Sequence, residues 1–470
     1  MPAKYHIHTR PAPARYPALG KSTVLDWQEG CLRCTVCVKQ SCPYNAFKQR
    51  DFDVGTLSDT IEGYCKNCFR CVQGCPRELI AKTPSPQFQR LGDAYWTPEI
   101  IQSTWYQAET GKIPVSGAGY GGRFSGPGFD AIWTDMSEIV RPTRDGIHGR
   151  EYISTAIDLG RKPLFLIFDD QGRPAFEPPP LLEIPLPVLL AEPPRGAGPE
   201  PIRRAVAQAA RDLGTLALLP REHITAELEP FAAHLAPSYP ADALDLNDPL
   251  LAQVKVVELQ DHDAVLEQIE LLKRRHPHLI VSIKAPATGA AAERLTQLAA
   301  AGAEILHLAA GPDAQGLEDA AGVHLKDLIR QAHLRLVQDH LRDTVTLLAG
   351  GGVAMAEHVP KAIICGADGV IIDLPLLLAL ECRLCRTCAP DACPVHLETL
   401  NVRRAAQRLV NLMGAWNNQL LEILGAMGLR EVRRLRGEVG RAMFVEDLER
   451  EIFGPLFTRN PVESLRREGE

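Results

Sequence analysis

Residues 279–308 read LIVSIKAPATGAAAERLTQLAAAGAEILHL, in which two short apolar runs flank an amphipathic stretch. The first run covers 279–284, the amphipathic stretch covers 290–301, and the second run covers 305–308. Apolar runs of strand length that alternate with helical stretches predict parallel strands covered by helices. This stretch therefore predicts one β-α-β unit of an α/β fold.

The same alternation extends from about residue 183 to residue 380. Seven strand candidates lie there, at 184–190, 215–219, 254–259, 279–284, 305–308, 345–348 and 369–374. Pro185 and Pro187 interrupt the first candidate, which argues against a regular central strand there. No Gly-x-Gly-x-x-Gly pattern follows the first strand. The sequence therefore predicts a (β/α)8 TIM-type barrel rather than an open dinucleotide-binding sheet.

Composition divides the chain around this barrel. We predict an extended arm at 1–20, a ferredoxin-type module at 21–85, a linker or lid at 86–180, the barrel at 181–380, and a cysteine loop with C-terminal helices at 381–470. The formal net charge of -7 gives no basic footprint for nucleic acid. Because no apolar run is long enough to span a bilayer or to form a signal peptide, we expect a cytoplasmic protein.

Two stretches of the predicted linker carry unusual compositions. Residues 117–122 contain a Gly-x-Gly-x-x-Gly pattern, but the residues after it do not open a helix, which argues against a dinucleotide site. Residues 141–151 hold several arginines, a histidine and two carboxylates. We expect the second stretch either to bind an anion or to form a salt-bridged linker.

Twelve of the 13 cysteines form three tight groups. In a chain that is not exported, such groups indicate metal ligation rather than disulfides. The first two groups each have the order C-x-x-C-x-x-C followed by Cys-Pro, which is typical of a ferredoxin with two [4Fe–4S] clusters. In that pattern the fourth cysteine crosses to the other cluster, with zinc as the alternative metal. One predicted cluster has the ligands Cys31, Cys34, Cys37 and Cys75, and the other has Cys65, Cys68, Cys71 and Cys42.

The third group lies after the last predicted strand and ends in Cys393-Pro394. Its members are Cys382, Cys385, Cys388 and Cys393. All four thiolates would hold a [4Fe–4S] cluster, three would hold a [3Fe–4S] cluster, and zinc is again the alternative. Cys365 stands outside the groups, and we expect it to be a small buried apolar residue.

The stretch from 348 to 399 resembles the synthase domain of glutamate synthase. The matching motifs are Ala349-Gly350-Gly351-Gly352, Gly366-Ala367-Asp368-Gly369, and Cys382, Cys388 and Cys393-Pro394. The resemblance implies an FMN-containing (β/α)8 barrel with a [3Fe–4S] cluster at those three cysteines, to which Cys385 is an addition. The N-terminal cysteine module is similar to that of archaeal-type glutamate-synthase-like proteins.

The resemblance also implies residues for the flavin site. Gly351 and Gly352 are expected to hold the FMN phosphate from one side, and Gly366 and Ala367 from the other. Lys284 corresponds to a strand lysine near the flavin and 2-oxoglutarate, and it is the catalytic candidate. The alternatives are an ordinary glycine-rich turn and a surface lysine at a strand end.

Three loops depart from the family pattern. Residues 309–313 read AAGPD where the family has a glycine-rich flavin loop, and residues 190–194 read LAEPP where it has a flavin contact. Residues 218–221 read LLPR where the family has another glycine-rich run. The chain begins Met1-Pro2 and not with a nucleophilic cysteine, so we expect any glutaminase activity to lie in a separate subunit.

Two hypotheses follow from the sequence. The first is an enzyme in which clusters carry electrons between an external donor and a flavin in the barrel, with reductive amination of 2-oxoglutarate to glutamate. Its expected partner is an NAD(P)H-oxidising flavoprotein subunit or a ferredoxin. The second is a non-catalytic electron-transfer subunit of a larger redox complex, in which the barrel holds no flavin.

Overall fold

The computed structural model describes most of the chain. The described residues are 5–16, 19, 22–24, 30–48, 51–57, 68–113, 128–134, 153–193, 199–241, 243–385, 388, 393–445, 447 and 450–452. Cys65 and the two unusual linker stretches, 117–122 and 141–151, lie outside these residues. What the sequence predicts for them therefore stays a prediction.

The described residues form fourteen strands and ten α-helices. The strands are β1 Ser22–Val24, β2 Lys82–Pro84, β3 Ile132–Thr134, β4 Ile157–Gly160, β5 Leu181–Ile184, β6 Val188–Ala191, β7 Ala217–Pro220, β8 Leu235–Tyr239, β9 Val256–Gln260, β10 Ile280–Pro286, β11 Ile305–Ala309, β12 Thr346–Gly350, β13 Gly369–Ile372 and β14 Ala442–Phe444. The helices are α1 Arg70–Gln73, α2 Pro86–Gln89, α3 Pro98–Thr110, α4 Glu200–Leu213, α5 Val265–Arg275, α6 Ala291–Ala300, α7 Leu325–Gln338, α8 His358–Cys365, α9 Leu374–Ala379 and α10 Val402–Ala426.

Strands β6 to β13 form a closed barrel of eight parallel strands. Each strand pairs with the next one along the chain, and β13 closes the ring on β6, with Val370 opposite Val188. Central positions such as Leu190 and Leu306 are fully buried. This topology confirms the predicted (β/α)8 fold class.

The sequence pattern did not predict one barrel strand, and one predicted strand covers parts of two observed strands. The missed strand is β8, which has Pro237 at its centre and 3-10 turns in place of α-helices on both sides. Proline is rare in central strands because it cannot donate to the ladder, so the pattern pointed away from a strand. The predicted strand at 184–190 is in fact the end of β5 and most of β6, separated at 185–187.

A small hairpin closes the amino-terminal end of the barrel. Strands β4 and β5 pair antiparallel, with Leu159 opposite Leu182. The backbone nitrogen of Gly160 donates to the Thr346 hydroxyl at 3.1 Å, at the start of β12. Leu159 and Ile184 are buried, so the hairpin plugs this end of the barrel with apolar side chains.

Helix α10 is the longest helix of the described chain and packs along α4 and α3. The arm at 5–16 crosses it. Asn411 donates to the carbonyl of Arg10 at 2.7 Å, and the buried Arg408 donates to the carbonyl of Ala12 at 2.7 Å. Directly beyond α10 the described chain forms 3-10 turns and β14, which pairs with β3. Residues 445, 447 and 450–452 then have helical backbone, so the C-terminal helices that the sequence predicted are interrupted rather than absent. None of the described helices is long and apolar enough to cross a membrane.

The N-terminal cysteine module has a core of its own. Strands β1 and β2 pair antiparallel and bring the two ends of the module together. Val38, Phe47, Leu57 and Ile80 are buried together with the thiols of this region, apart from the core of the barrel. A separate apolar core is what a small module needs to hold its loops in place.

Candidate active site and cysteine sites

The carboxyl-terminal mouth of the barrel contains a polar cavity of about 290 Å³. In parallel barrels this end is where catalytic side chains gather. Chemistry-bearing side chains reach the cavity from the ends of β6 to β11 and from the turns after them. They are Glu192, Glu222, His223, Ser238, Glu258, Gln260, Lys284 and His307.

A buried histidine–carboxylate pair forms the inner wall of this cavity. His307 Nδ1 lies 2.8 Å from Glu258 Oε2, and the Ser238 hydroxyl donates to Glu258 Oε1 at 3.2 Å. Burial raises the pKa of Glu258, but His307, Lys284 and the hydrogen bonds outweigh it and hold the pKa below its usual value. The pair is therefore a fixed carboxylate that orients an imidazole ring.

A second histidine–carboxylate pair forms the opposite wall. His223 Nδ1 lies 2.7 Å from Glu192 Oε2, and Arg203 Nε donates to Glu192 Oε1 at 2.9 Å. Glu192 lies in the LAEPP stretch and His223 follows the LLPR stretch, two of the loops that depart from the family pattern. From the sequence alone, these loops were interpreted only as departures from the family pattern, and neither Glu192 nor His223 was predicted as a site residue. The signal available was a glutamate and a histidine directly after two barrel strands.

Lys284 lies where the sequence placed it, near the end of β10 beside His307 on β11. Its side chain lines the cavity and acts electrostatically on both Glu258 and Asp373. The ammonium group makes no hydrogen bond or ion pair with the residues that the structure describes. It is therefore available to an anion in the cavity.

Gly351 and Gly352 follow β12 at the same mouth and have positive φ values of 94° and 68°. A Cβ on Gly351 would overlap the carbonyl oxygen of Ala310, and one on Gly352 would overlap the backbone of Ala314. The Tyr95 hydroxyl donates to the carbonyl of Gly352 at 2.5 Å. The turn needs glycine because another loop of the same chain packs against it.

Gly366 and Ala367 lie at the other end of the barrel, between α8 and the start of β13. The carbonyl of Gly366 accepts from Arg342 at 2.7 Å, and a Cβ on Gly366 would overlap the His333 ring. Parallel strands begin at one end of a barrel and finish at the other. The structure therefore does not bring these two residues to Gly351 and Gly352.

The helix after the last barrel strand begins with a carboxylate. Asp373 precedes α9, and its side chain accepts from the backbone nitrogen of Leu374 at 2.5 Å. Burial raises the pKa of Asp373, although hydrogen bonds and the neighbouring Lys284 and His307 oppose the rise. TIM barrels commonly bind phosphate at such a helix start, after their seventh and eighth strands. Here a side chain of the protein occupies that helix end.

Four cysteines of the N-terminal module line one cavity. They are Cys31, Cys34, Cys37 and Cys75, the set that the crossover pattern assigns to a single cluster. The other walls are mainly apolar, with Val54, Leu57 and Ile80 among them. The structure thus brings Cys75 to the first three cysteines, although it lies far from them in sequence.

The two cysteine loops of this module repeat the same backbone conformation. The residue after the second cysteine of each loop is left-handed, with φ of 58° at Thr35 and 59° at Phe69. A short helical turn follows each of these residues, and Cys37 and Cys71 are buried at equivalent places. Cys42, Cys68 and Cys71 are described, whereas Cys65 is not.

The third cysteine group shares a local geometry with the first. Leu384, two residues after Cys382, has φ of 48°, and Arg33, two residues after Cys31, has φ of 52°. Each donates its backbone N–H to the preceding thiol, at 3.5 Å to Cys382 and 3.4 Å to Cys31. Burial raises the pKa of Cys382, its neighbours in the group add to the rise, and the Leu384 hydrogen bond opposes it, so that the pKa is about 12. These neighbours are Cys385, Cys388 and Cys393.

The remaining cysteine, Cys365, lies apart from the three groups. Cys365 is buried in α8, as the sequence predicted. No set of three or more histidine, cysteine or carboxylate side chains in the described part of the chain is spaced to hold a single metal ion.

Comparison with known proteins finds similarity to glutamate synthases. Residues 248–430 match the model described as the conserved region in glutamate synthase. An archaeal-type glutamate synthase (NADPH) from Dehalococcoides mccartyi is 24% identical, over 87% of this chain and 92% of that protein. An archaeal glutamate synthase (NADPH) from Archaeoglobus fulgidus is 26% identical, over 91% of this chain and 95% of that protein.

A solved structure of mutant flavocytochrome b2 with pyruvate bound matches with a TM-score of 0.43 and 13% identity, over 68% of this chain and 78% of that chain. The fold assignment does not depend on this match, because the strand pairing itself establishes the barrel. The barrel and the family match together define the class, a TIM-barrel oxidoreductase. Within that class the chain is similar to archaeal-type glutamate synthases over most of its length.

Proposed function

We propose that this protein is an iron–sulfur flavoenzyme that takes electrons from an external donor and reductively aminates 2-oxoglutarate to glutamate. One observation carries the proposal. The family region at 248–430 contains β9, β10 and β11, the strands that bring Glu258, Lys284 and His307 to one cavity. FMN, when bound at this mouth, supplies the hydride-transfer chemistry.

The first cluster is supported by the cavity of Cys31, Cys34, Cys37 and Cys75. Four thiols around a mainly apolar space are the donor set that a [4Fe–4S] cluster takes. The repeated loop geometry at Thr35 and Phe69 extends the proposal to the second cluster. Its ligands in this proposal are Cys42, Cys65, Cys68 and Cys71.

For the third site we propose a [4Fe–4S] cluster. The Cys382 loop has the same backbone turn and the same N–H to sulfur hydrogen bond as the Cys31 loop. Cys385 supplies a fourth thiol, and its charge acts on Cys382 together with those of the other two. A [3Fe–4S] cluster, which leaves Cys385 unused, is the alternative.

The flavin site is proposed at the carboxyl-terminal mouth, where catalytic and cofactor-binding side chains of parallel barrels gather. Lys284 would lie near the flavin, and the polar cavity beside it has room for a small substrate. The phosphate is proposed at the turn of Gly351 and Gly352, which follows β12 at the same mouth as the family resemblance implies. Gly366 and Ala367 are not part of this proposal, because they lie at the opposite end of the barrel.

A second candidate function is a flavin-free electron-transfer subunit, and Asp373 favours it. Its carboxylate occupies the start of α9, where a TIM-barrel phosphate would otherwise bind. The Gly351–Gly352 turn is likewise already packed against residues of the same chain. The barrel would then serve as a scaffold for the clusters.

Anaerobic purification followed by iron, acid-labile sulfide and flavin determination tests both candidates. The proposal expects about twelve irons per chain from three cubane clusters, with stoichiometric FMN. The same iron content without flavin would establish the second candidate. Zinc in place of iron, or no acid-labile sulfide, would remove both.

A variant pair tests the predicted crossover of Cys75. Cys75→Ala should lower the iron content by about four per chain, because an incomplete cubane is lost on purification. Cys365→Ala, a substitution of a cysteine outside the three groups, should leave the iron content unchanged. An unchanged iron content in Cys75→Ala would exclude this cysteine from the first cluster.

The partners remain part of the proposal. The two relatives named above are NADPH enzymes by name, which supports an NAD(P)H-oxidising flavoprotein subunit as the donor, with a ferredoxin as the alternative. Ammonia would come from solution or from a separate glutaminase subunit. Stopped-flow reduction of the clusters by each donor, in the absence of oxygen, distinguishes them.

A further inference from the structure

The second histidine–carboxylate pair, His223 with Glu192, is built to present an imidazole nitrogen to the cavity. Glu192 binds the ring through Nδ1, so Nε2 is the nitrogen left for a ligand. The Glu192 side chain is only 9% exposed and is fixed on its other oxygen by Arg203. Neither iron–sulfur clusters nor a flavin phosphate makes use of this pair.

The turn that carries His223 is anchored by a second buried network. Arg221, two residues earlier, pairs with Asp248, and its Nη1 donates to the carbonyl of Ile224 at 3.2 Å. Asp248 also accepts from the Tyr239 hydroxyl at 2.9 Å and from the backbone of Leu250 at 3.0 Å. The turn is therefore held on both sides of His223, which fixes the ring by its backbone as well as by Glu192.

The cavity also contains a cation, whose charge acts on Glu258 and Asp373. Lys284 lines the same space as His223, and it makes no hydrogen bond or ion pair with the described residues. An ammonium group at a cavity wall binds a carboxylate. The volume of about 290 Å³ is at the lower end for ligand sites, so the ligand is a small molecule.

We propose that His223 is the proton-transfer residue of this cavity, that Glu192 is its positioning residue, and that Lys284 binds the carboxylate of a small 2-oxo acid or its imine. The identity of the 2-oxo acid rests on the proposed function. The assignment of the proton-transfer group does not, because it follows from the geometry of the cavity.

The simplest reaction of such a site needs no electron donor. His223 Nε2 removes a proton from the carbon next to the carbonyl of the 2-oxo acid, and the electrons of that C–H bond form the enolate. The ammonium group of Lys284 holds the carboxylate of the acid in place during this step. The protonated imidazole then returns a proton to the same carbon, and in heavy water it returns a deuteron. No atom or electron is left over.

Deuterium exchange into 2-oxoglutarate, followed by proton NMR, tests the inference on the purified protein without a reductant. The wild-type protein should exchange the protons next to the carbonyl well above the rate in buffer. His223→Gln should lower kcat for exchange by about 100-fold or more, the usual contribution of a positioned acid–base group. His262→Gln, at a half-buried histidine near the end of β9 that does not line the cavity, should exchange as the wild type does.

Two further variants separate the roles. Lys284→Met should raise KM for exchange about tenfold with a smaller change in kcat, because it removes binding of the carboxylate. Glu192→Gln should lower kcat and leave KM unchanged, since it misorients the ring without touching the ligand. Glu192→Asp should recover part of kcat. Thermal unfolding of each variant shows whether it is folded.

The outcomes separate this inference from the proposed function. Wild-type exchange no faster than buffer, or a folded His223→Gln variant that exchanges like the wild type, would overturn the inference even if the protein contains clusters and flavin. Exchange that depends on His223 in a protein without flavin would support it while removing the flavoenzyme proposal.

Discussion

Both ends of the barrel contain groups of charged side chains, but the two groups differ in how fully they are paired within the protein. At the amino-terminal end the buried Arg342 donates to Asp368 at 2.8 Å and to the carbonyls of Val345 and Gly366. Asp368 also binds Arg436, at 3.1 Å, and the backbone nitrogen of Leu347. The donors and acceptors there are used within the protein.

At the carboxyl-terminal mouth, some of the charged groups make fewer hydrogen bonds and ion pairs within the described residues. Glu192 and Glu258 each bind a histidine through Nδ1, while Lys284 makes no such bond within the described residues. A fully paired network stabilises the fold, whereas groups that face a cavity can act on a ligand. We therefore expect substitutions at the amino-terminal end to lower stability more than activity, and substitutions at the mouth to lower activity more than stability.

The largest expected effect is the loss of stability in Arg342→Ala. The substitution removes the central cation of a buried network and leaves Asp368, the ring of His333 and two carbonyls with fewer donors. We expect the free energy of unfolding to fall by about 3–5 kcal/mol, the cost of breaking a buried ion pair. Anaerobic chemical denaturation measures the difference.

Arg274→Ala is the matched control for that variant. Arg274 forms an ion pair with Glu270 on an exposed helix face, with the arginine side chain 75% exposed. Such pairs contribute little to stability because water and salt screen them. Equal losses in the two variants would show that the amino-terminal network is no more than a surface feature.

The second prediction concerns the glycine turn at the mouth. In Gly352→Ala the new methyl group would meet the backbone of Ala314, and φ is already positive. We expect a loss of about 2–4 kcal/mol from overlap and backbone strain together. Gly322→Ala, at φ of 89° with nothing within 4 Å of the new Cβ, should cost only about 1–2 kcal/mol from its left-handed backbone.

Equal losses in these two glycine variants would mean that the packing of the 310–314 loop against the turn contributes nothing. A larger loss in Gly352→Ala would show that the turn is filled by the protein itself. Flavin content measured on the folded fraction of Gly352→Ala then shows whether the turn also holds a phosphate.

The third prediction is a pH dependence at the amino-terminal end. Burial lowers the pKa of His333, the charges of Arg342, Arg330 and Arg436 add to this effect, and Asp368 opposes it, so that the pKa is about 4. Between about pH 6.5 and pH 4, this histidine is therefore protonated in the unfolded chain but neutral in the folded chain. Stability should fall between pH 6.5 and 4, by about 1–2 kcal/mol after discounting for partial solvent screening.

His333→Asn should flatten that part of the stability profile. The asparagine oxygen can still accept from Arg342, but the side chain does not titrate. His262→Asn, at a half-buried histidine outside this network, should leave the profile as in the wild type. A profile that is just as steep in His333→Asn would place the titrating group elsewhere.

Much of the fold was readable from the sequence, because apolar runs and amphipathic stretches alternate with little interruption from 254 onward. The strand predictions were wrong where prolines, which disfavour strands, lie in or beside strands of the barrel. Pro237 hides β8, since the barrel tolerates there a residue that a central strand normally excludes. Pro185 and Pro187 obscure the boundary between a plug strand and a barrel strand for the same reason.

The candidate site was only partly readable. Cysteine spacing predicted that Cys75 joins the first three thiols, because loop geometry is local to the motif. The predicted strands at 345–348 and 369–374 already imply that Gly351 follows one strand and Gly366 precedes the next, so their separation at opposite ends of the barrel was predictable, although the family resemblance had grouped them. The pairing of His223 with Glu192 joins the ends of two strands, and it emerges only once the barrel is closed.

The smallest expected effect, and the one with the opposite sign, is at Lys284. Lys284→Met removes an ammonium group that binds no described residue and replaces it with an apolar chain of similar length. We expect unfolding free energy to stay the same or rise by up to about 1 kcal/mol, because functional groups are often kept at the expense of stability. The same substitution should weaken binding of 2-oxoglutarate, measured by titration calorimetry. If Lys284→Met instead lost as much stability as Arg342→Ala, the mouth would be a structural network like that at the other end, and its groups would not be reserved for a ligand.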